Sequence, residues 1–238
     1  MASIVIKNWD NKNWLSSRQY IKNLNSFILK QSKLNISSEI LDIGCGRGKI
    51  LGDLKSKLNL KKKPIGIDLV NHKDKDKRIK FKKIDALSFF LKNKIKFDLI
   101  LIKQTIHLLD FKKIKQLLHH CKKNLNPGGV ILVFTLDPRN NQIPKFKLMK
   151  ERLNKSLLRD IKISKMLFKE GFYKNVKKFV FKVKIKKKDY LKMIRSKFIS
   201  TLLYLKKKEI LDGINEIDIK YKNMLQFNDN LICIIFRK

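Results

Sequence analysis

A short apolar segment that runs into three closely spaced glycines is the feature that most constrains this chain. Ile40–Ile43 has the length and composition of a buried strand, and Gly44, Gly46 and Gly48 follow it before a helical pattern starts at Ile50. Glycines permit a tight strand-to-helix turn and let bare backbone approach a ligand, while a helix start offers unpaired N–H groups. The segment therefore predicts a ligand site at a strand end of an α/β fold.

The acid ahead of this turn helps to distinguish between ligands. Asp42 precedes the glycines, and the G-x-G-x-G spacing differs from the G-x-G-x-x-G of dinucleotide-binding turns. A carboxylate in this place would repel a phosphate but suit the cationic head group of an amino acid. The alternative is that Asp42 only caps the following helix.

Strand and helix patterns alternate along the rest of the chain. Apolar runs predict strands at 40–43, 64–69, 80–84, 97–102, 130–135, 179–185 and 231–236, and helices at 50–60, 112–124, 147–170, 190–205 and 208–222. This alternation is typical of an α/β, doubly wound, mostly parallel sheet. We predict seven strands in a Rossmann-like arrangement, with an antiparallel edge strand and a helical insertion before the last strand.

The chain is predicted to form a single domain over residues 1–238, a length that is enough to bury a core. Its parts are an N-terminal helical cap (1–38), a cofactor-binding core (39–136) and a helical insertion or lid (189–224). Trp9, Trp14 and Tyr20 in the cap are expected to pack in the core, and Gly171 to end the helix before the sixth strand. No signal-peptide pattern or membrane-length apolar run is present, so we expect a cytoplasmic protein.

The three cysteines give no sign of a cross-link or a metal site. Cys45, Cys121 and Cys233 are far apart and form no C-x-x-C pair. Cys121 and Cys233 lie among apolar residues and are expected to be core thiols. We therefore expect neither a disulfide nor a metal.

The formal net charge of +37, from 57 basic and 20 acidic residues, suggests binding to nucleic acid. Only eight of the basic residues are Arg, and the Lys residues are spread over the whole chain together with many Asn and Ile. These three residue types have A/T-rich codons, so genome composition explains the bias equally well. Dedicated RNA sites depend on Arg and on stacking aromatics. Nucleic acid is thus a partner that the sequence does not favour.

Five motifs in a fixed order extend the pattern of the first turn. They are Leu41–Gly48, Gly66–Leu69, Ile84–Ala86, Phe97–Ile100 with Lys103–Leu109, and Leu125–Val130. Together they cover about residues 39–136, and in this order they resemble the motifs of class I S-adenosylmethionine-dependent methyltransferases. Within that class the chain is most similar to the methyltransferase-type-11 subgroup, which acts mostly on small molecules.

The resemblance implies a set of cofactor-binding residues: Asp42, Gly44, Cys45, Gly46, Gly48, Asp68, Leu69, Asp85, Ala86, Lys103 and Gln104. In such proteins the glycine turn contacts the methionine part of S-adenosylmethionine, with Asp42 near its amino group. Asp68 would accept hydrogen bonds from the two ribose hydroxyls, and Asp85 from the adenine amino group. The alternatives are a turn acid for Asp68 and a helix N-cap for Asp85.

The acceptor side is less constrained by the sequence. His107 is a candidate catalytic base, and the alternative is a histidine packed at a helix start. Candidate substrate contacts are Tyr20, Arg139, Arg195 and Lys197. Tyr20 belongs to the N-terminal helix, which closes the cofactor mouth in similar proteins, and a basic side chain of the insertion could hold an anionic group. With Lys so abundant, a solvated face is an equal alternative.

These expectations favour an S-adenosylmethionine-dependent methyltransferase that acts on a small molecule by direct in-line transfer and releases S-adenosyl-L-homocysteine. Positioning supplies most of the rate of such a reaction, so no catalytic triad is needed. Lys103–Ile106 replaces the Asn/Asp-Pro-Pro-Tyr/Phe sequence that amino-group nucleic-acid methyltransferases commonly carry. The alternatives are an RNA methyltransferase that uses the basic surface, and a cofactor-binding protein or partner subunit without transferase activity.

Overall fold

The computed structural model describes residues 13–169 and 173–238, and these form a seven-stranded sheet flanked by helices. Trp9 and Gly171, which the sequence placed in the core and at a helix end, lie outside the described residues. The strands are β1 (Ile40–Ile43), β2 (Ile65–Asp68), β3 (Lys80–Lys83), β4 (Phe97–Lys103), β5 (Leu125–Leu136), β6 (Tyr173–Lys186) and β7 (Met224–Arg237).

The helices that flank the sheet are α1 (Arg18–Gln31), α2 (Lys49–Lys57), α3 (Ala86–Lys92), α4 (Phe111–Lys123), α5 (Lys147–Lys169), α6 (Lys187–Arg195) and α7 (Lys207–Lys220). Short 3-10 turns cover Trp14–Ser16, Ile106–Leu108 and Ser200–Leu202. Within the described ranges, no helix combines the length and the apolar character that crossing a membrane requires.

The strand order is β3-β2-β1-β4-β5-β7-β6, with β1 to β5 parallel and β7 antiparallel to both of its neighbours. The predicted mostly parallel Rossmann-like sheet, with antiparallel pairing at one side, is confirmed. The strand that reverses direction, β7, lies one position inside the edge, and β6 forms the edge itself. Helices α6 and α7 lie between β6 and β7 in the chain, as the predicted insertion required.

The sheet buries apolar side chains on both faces. Leu99 and Leu101 of β4 belong to the core on one face, and Ile100 and Ile102 to the core on the other. All four residues of β1 are buried. Burial on both faces explains why β1 is apolar apart from Asp42 and why Leu99–Ile102 of β4 is a continuous apolar run.

The chain reverses its direction of winding between β1 and β4. From β1 the order runs outward to β2 and β3, whereas β4 lies on the other side of β1. Such a reversal opens a crevice at the carboxyl ends of the two central strands, where ligands of open α/β sheets bind. The turn after β1 and the loop after β4 both end in this crevice.

The predicted helix over 190–205 is wrong in its second half. Helix α6 ends at Arg195, and the chain turns through Lys197, whose φ of +53° is in the left-handed region. The turn is stabilised because the Lys197 amine donates hydrogen bonds to the carbonyls of Leu203 (3.1 Å) and Leu205 (2.6 Å). It also returns Phe198 to the core, where its ring packs against Trp14 at 5.7 Å between centroids.

The last two strands are longer than their apolar runs indicated. The pairing of β6 with β7 extends from Tyr173 opposite Arg237 to Lys186 opposite Met224. The sequence missed the first half of β7 because Gln226, Asn228 and Asn230 interrupt its apolar pattern. The polar positions matter below, since this half of β7 reaches the candidate site.

Candidate active site

A cavity that is partly open to solvent lies at the carboxyl ends of β1, β2 and β4. Its wall is completed by the 3-10 turn at Trp14–Ser16, by helix α5, by residues 198–201 of the insertion and by one residue of β7. Seven of the predicted site residues line it: Gly44, Asp68, Leu69, Asp85, Ala86, Gln104 and His107. The crevice that the topology creates is therefore a partly enclosed chamber.

The glycine turn is attached to the neighbouring strand by backbone hydrogen bonds. The N–H groups of Gly44 and Cys45 both donate to the carbonyl of Ile67 in β2, at 2.9 and 3.1 Å. Gly44, Gly46 and Gly48 all have φ in the left-handed region, at +77°, +55° and +71°. Residues with a Cβ rarely adopt this conformation, so the turn needs its glycines for backbone reasons alone.

Close packing adds a second reason at Gly44. A Cβ built there would lie 2.0 Å from Oγ1 of Thr105 in the loop after β4. The same loop contains Gln104, which lines the cavity with φ of +54°. The two loops thus meet at the wall of the cavity. The space between them is too small for a side chain at position 44.

Asp42, the acid ahead of the turn, is 2% exposed at the end of β1. No described residue makes a hydrogen bond to its Oδ1 atom. Burial raises the pKa of Asp42 to about 7, although the nearby Lys103 opposes this rise and the Asp68 charge adds to it. A buried carboxylate oxygen without a partner beside an open backbone turn fits the amino group of a cationic amino-acid ligand.

Asp68 lines the cavity at the end of β2 and also organises the turn. Its Oδ2 accepts a hydrogen bond from the N–H of Gly46 at 2.8 Å, and its Oδ1 accepts one from the N–H of Val70 at 2.9 Å. The carboxylate therefore links the ends of β1 and β2.

Asp85 is the N-cap of helix α3, which was the alternative role predicted from the sequence. It also lines the cavity. Its Oδ1 accepts hydrogen bonds from the N–H groups of Leu87 and Ser88, both at 3.0 Å. Partial burial acts to raise the pKa of Asp85, but the hydrogen bonds outweigh it and hold the pKa below its usual value. Capping uses one oxygen, so the residue can serve both the helix and a ligand.

Lys103 ends β4 inside the protein, next to two carboxylates. It is 3% exposed, and its amine lies 5.3 Å from the centre of the Tyr20 ring. Its charge opposes the burial that raises the pKa values of Asp42 and Asp229. A buried lysine so placed compensates negative charge behind the cavity wall.

Asp229, on β7, is a cavity residue that the sequence did not reveal. It is 3% exposed and accepts a hydrogen bond from the indole N–H of Trp14 at 3.0 Å. Burial raises its pKa, and the bond from Trp14 and the charge of Lys103 moderate the rise. The available signal was an acid between Asn228 and Asn230, just before an apolar run.

His107 lies on the 3-10 turn after β4 and lines the cavity. Burial lowers its pKa to about 4, with a smaller contribution from the charge of Arg159. The Arg159 guanidinium donates hydrogen bonds to the carbonyls of His107 and, at 2.6 Å, of Leu109. Helix α5 thus fixes the loop that carries the imidazole, which is neutral at pH 7.

Asp160 is a second cavity residue absent from the sequence-based candidates. It lies on α5, is 5% exposed, and its Oδ1 has no hydrogen-bond partner among the described residues. Burial raises its pKa to about 6, partly offset by Arg159. The sequence signal was its place in the buried stripe of α5, between Leu157 and Ile163.

The other predicted residues lie away from the cavity wall. Asp42, Cys45, Gly46, Gly48 and Lys103 are buried but are not among the residues that line the cavity. Among the candidate substrate contacts, Tyr20 is fully buried against Phe179 and Phe181, while Arg139 and Arg195 are exposed. The Lys197 amine is bonded to carbonyls of its own loop. None of these four lines the cavity; Trp14, Leu15 and residues 198–201 do so instead.

A family model described as a methyltransferase domain matches residues 40–129, from β1 to the start of β5. This range contains the glycine turn, Asp68 and Asp85. Residues 40–129 thus form a methyltransferase domain, and their motifs are those expected of class I S-adenosylmethionine-dependent enzymes. S-adenosylmethionine is therefore the cofactor, and the buried acid, the glycine turn and the acid at the end of β2 suit its cationic head group and its ribose. When bound, it supplies an electrophilic methyl group on a sulfonium.

Solved structures of methyltransferases share this fold. A SAM-dependent methyltransferase from Archaeoglobus fulgidus is 20% identical, with 93% of this chain and 95% of that chain covered and a TM-score of 0.56. The N-methyltransferase NodS from Bradyrhizobium japonicum, solved with S-adenosyl-L-homocysteine, is 14% identical, with 97% and 94% covered and a TM-score of 0.53. A phosphoethanolamine N-methyltransferase from Haemonchus contortus is 14% identical, with 99% and 60% covered and a TM-score of 0.51. Among curated proteins no sequence matches this methyltransferase.

Proposed function

We propose that this methyltransferase acts on a small molecule that enters the cavity between α5 and residues 198–201. The observation that carries the proposal is the enclosure of the crevice by parts of the chain outside the matched methyltransferase domain. Trp14, Leu153 and Phe198 come from three such parts and line one chamber with the glycine turn. A partly enclosed chamber with mostly apolar walls is typical of a small-molecule site.

For the cofactor, we propose the roles that the resemblance implies. The turn from Gly44 to Gly48 holds the methionine part, Asp42 faces the amino group, Asp68 with Leu69 receives the ribose, and Asp85 with Ala86 receives the adenine. Lys103 acts from behind the wall by balancing the charge of Asp42. Gln104 lies at the wall beside the methyl position.

The chain's own contribution to the reaction is positioning. Fixing the acceptor in line with the bond to be broken replaces a bimolecular encounter by a prearranged one. His107 is a weak proton acceptor because its pKa is lowered to about 4. We therefore propose that its imidazole orients the acceptor by a hydrogen bond. A cytoplasmic location stays a prediction.

A labelling experiment can distinguish a small-molecule acceptor from an RNA acceptor. The protein is incubated with S-adenosylmethionine carrying a labelled methyl group and with either the low-molecular-weight fraction or the RNA fraction of a cell extract. Label in the small-molecule fraction supports the proposal. Label in RNA, with an activity that falls steeply as salt rises, supports the RNA alternative. Cofactor binding without label in either fraction supports a protein that lacks transferase activity.

A matched pair of variants on α5 links this activity to the cavity. Ser156 lines the cavity and Leu158 is 62% exposed on the same helix. Ser156→Trp should fill the acceptor side and abolish transfer to the small-molecule fraction, while Leu158→Trp should keep it. Both variants should still bind S-adenosyl-L-homocysteine in calorimetry. Full transfer by Ser156→Trp would show that the acceptor binds elsewhere.

A further inference from the structure

The cavity wall differs in charge from the rest of the chain. Lys and Arg make up 57 of the 238 residues, yet neither occurs among the described residues that line the cavity. Four aspartates do line it: Asp68, Asp85, Asp160 and Asp229. The chamber is thus acidic inside a strongly basic protein, and its ligands should carry positive charge.

Three of the four aspartates already have partners. Asp68 accepts hydrogen bonds from the backbone N–H groups of Gly46 and Val70, and Asp85 caps α3. Asp229 accepts from the indole of Trp14 and is compensated by the charge of Lys103. These contacts hold the loops and strands that form the chamber. Asp68 and Asp85 themselves belong to the part of the wall that we assign to the cofactor.

Asp160 differs from the other three. It is only 5% exposed, and its Oδ1 accepts no hydrogen bond from a described residue. The neighbouring guanidinium of Arg159 is directed to the carbonyls of His107 and Leu109. Burying an ionisable carboxyl oxygen without a partner costs free energy, so its retention on a cavity wall points to a ligand that pairs with it.

The surroundings of Asp160 indicate what the rest of that ligand is like. The Oγ1 atom of Thr201 is also buried without a described partner and is a second acceptor on the same wall. Trp14 and Phe198 present aromatic surface, and Ile143 and Leu153 add aliphatic surface. Aromatic rings stabilise a nearby cation, and the aliphatic groups suit an apolar body.

We infer that the methyl acceptor is an amine with an apolar body, and that Asp160 binds its ammonium group. This inference rests on the proposed small-molecule function and names its substrate class. For transfer, the ammonium loses one proton to water at the open side of the cavity. The nitrogen lone pair then forms the N–C bond while the C–S bond of the cofactor breaks, with its electron pair left on sulfur. The products are the methylated ammonium and neutral S-adenosyl-L-homocysteine.

The test measures the charge preference of the acceptor site with the cofactor site filled. Protein saturated with S-adenosyl-L-homocysteine is titrated with primary amines of increasing apolar size, beginning with 2-phenylethylamine. For each amine, the alcohol and the carboxylate of the same skeleton are titrated as well. Calorimetry should show at least one amine that binds ~10–100-fold more tightly than its alcohol, which is the range for a hydrogen bond to a charged group.

Asp160→Asn is the informative variant, because it keeps the shape of the side chain and removes its charge. It should lose the preference for amines and still bind S-adenosyl-L-homocysteine as the parent does. Glu151→Gln, an exposed acid on the same helix, is the matched control and should keep the preference.

Each outcome has a distinct meaning. Alcohols or carboxylates that bind as tightly as the amines would overturn the amine inference and leave the small-molecule function in place. Binding of no skeleton in any of the three forms would contradict both. Weaker binding of S-adenosyl-L-homocysteine by Asp160→Asn would place Asp160 in the cofactor site, and this would also overturn the inference.

Discussion

The cavity wall and the edge strand β6 differ in their content of lysine, although both belong to one strongly basic chain. Strand β6 exposes Lys178, Lys182 and Lys184 in alternation, with buried Phe179 and Phe181 between them. The cavity wall has no Lys or Arg among the described residues that form it. Lysines on an edge strand prevent unwanted pairing with other strands, whereas a lysine in the cavity would repel a cationic cofactor.

This contrast shows how the net charge of +37 relates to function. Charge on the exterior is free to follow codon composition, because a solvated lysine changes stability little. Charge at the wall is constrained by the ligand. Lys103 fits this view, since it lies outside the wall and compensates Asp42 and Asp229. The following predictions test the contrast, from the largest expected effect to the smallest.

Two glycines with the same backbone conformation should respond differently. Gly44 and Gly128 have φ of +77° and +74°, but a Cβ on Gly44 would overlap Thr105 while one on Gly128 meets nothing within 4 Å. Gly44→Ala should cost about 2–5 kcal/mol of unfolding free energy, from backbone strain and overpacking together. Gly128→Ala should cost only the strain, about 1–2 kcal/mol.

Urea unfolding measures the loss of unfolding free energy in both variants. Calorimetry measures how each substitution changes the affinity for S-adenosyl-L-homocysteine. Gly44→Ala should weaken binding at least about 10-fold because the turn must move, and Gly128→Ala should leave it unchanged. Equal affinity in the two variants would mean that the turn does not contact the cofactor.

Asp68, at the end of β2, and Asp98, near the start of β4, make similar contacts and can be compared. Asp68 accepts hydrogen bonds from two backbone N–H groups beside the cavity. Asp98 accepts hydrogen bonds from the backbone N–H of Glu39 and the side-chain amide of Asn126. Asp68→Ala should weaken cofactor binding by about 1–3 kcal/mol, whereas Asp98→Ala should reduce stability only. If calorimetry shows unchanged affinity for Asp68→Ala, this residue is not part of the cofactor site.

Removing the charge of Asp160 should stabilise the ligand-free protein. The folded-state pKa of Asp160 is raised to about 6 from 3.8, so the parent loses stability as pH rises from about 4 through 6. Asp160→Asn should therefore be more stable than the parent by about 1–3 kcal/mol at pH 8, with little difference at pH 4.

Thermal and urea unfolding at several pH values would check this difference. Glu151→Gln should stay within about 0.5 kcal/mol of the parent throughout. A variant Asp160→Asn that is less stable than the parent at pH 8 would indicate that Asp160 has a structural partner in the folded protein.

The smallest effect is expected on the exterior. Replacing Lys178, Lys182 and Lys184 together by Glu lowers the net charge from +37 to +31. Methyl transfer to a small acceptor should change by less than about twofold, while binding to heparin or RNA at low salt should weaken. A large loss of transfer would show that the basic exterior takes part in the reaction.

Local patterns predicted the cofactor half of the molecule well. The bounds of β1 are those expected, and Asp68 and Asp85 lie at the cavity. This part could be predicted because its cavity residues come from short segments in which strand, turn and acid are adjacent. The same physics also made the capping alternative for Asp85 correct, since one carboxylate oxygen suffices for the cap.

The acceptor half could not be predicted in the same way. Asp160 of α5 and Asp229 of β7 line the same cavity although they are far apart in the sequence, so no local pattern connects them. Lys197 was expected to bind substrate, but its amine is used where the chain turns back after α6, which a continuous helical pattern did not reveal. The usable signal was an acid in a buried stripe, as at Asp160.

A crystal structure with S-adenosyl-L-homocysteine tests most directly the claim that the reaction takes place in the acidic cavity. The account predicts the ribose at Asp68, the adenine at Asp85, and the sulfur facing the chamber that Trp14 and Asp160 line. A ligand bound outside this cavity, or a lysine or arginine side chain in contact with the methyl position, would contradict it.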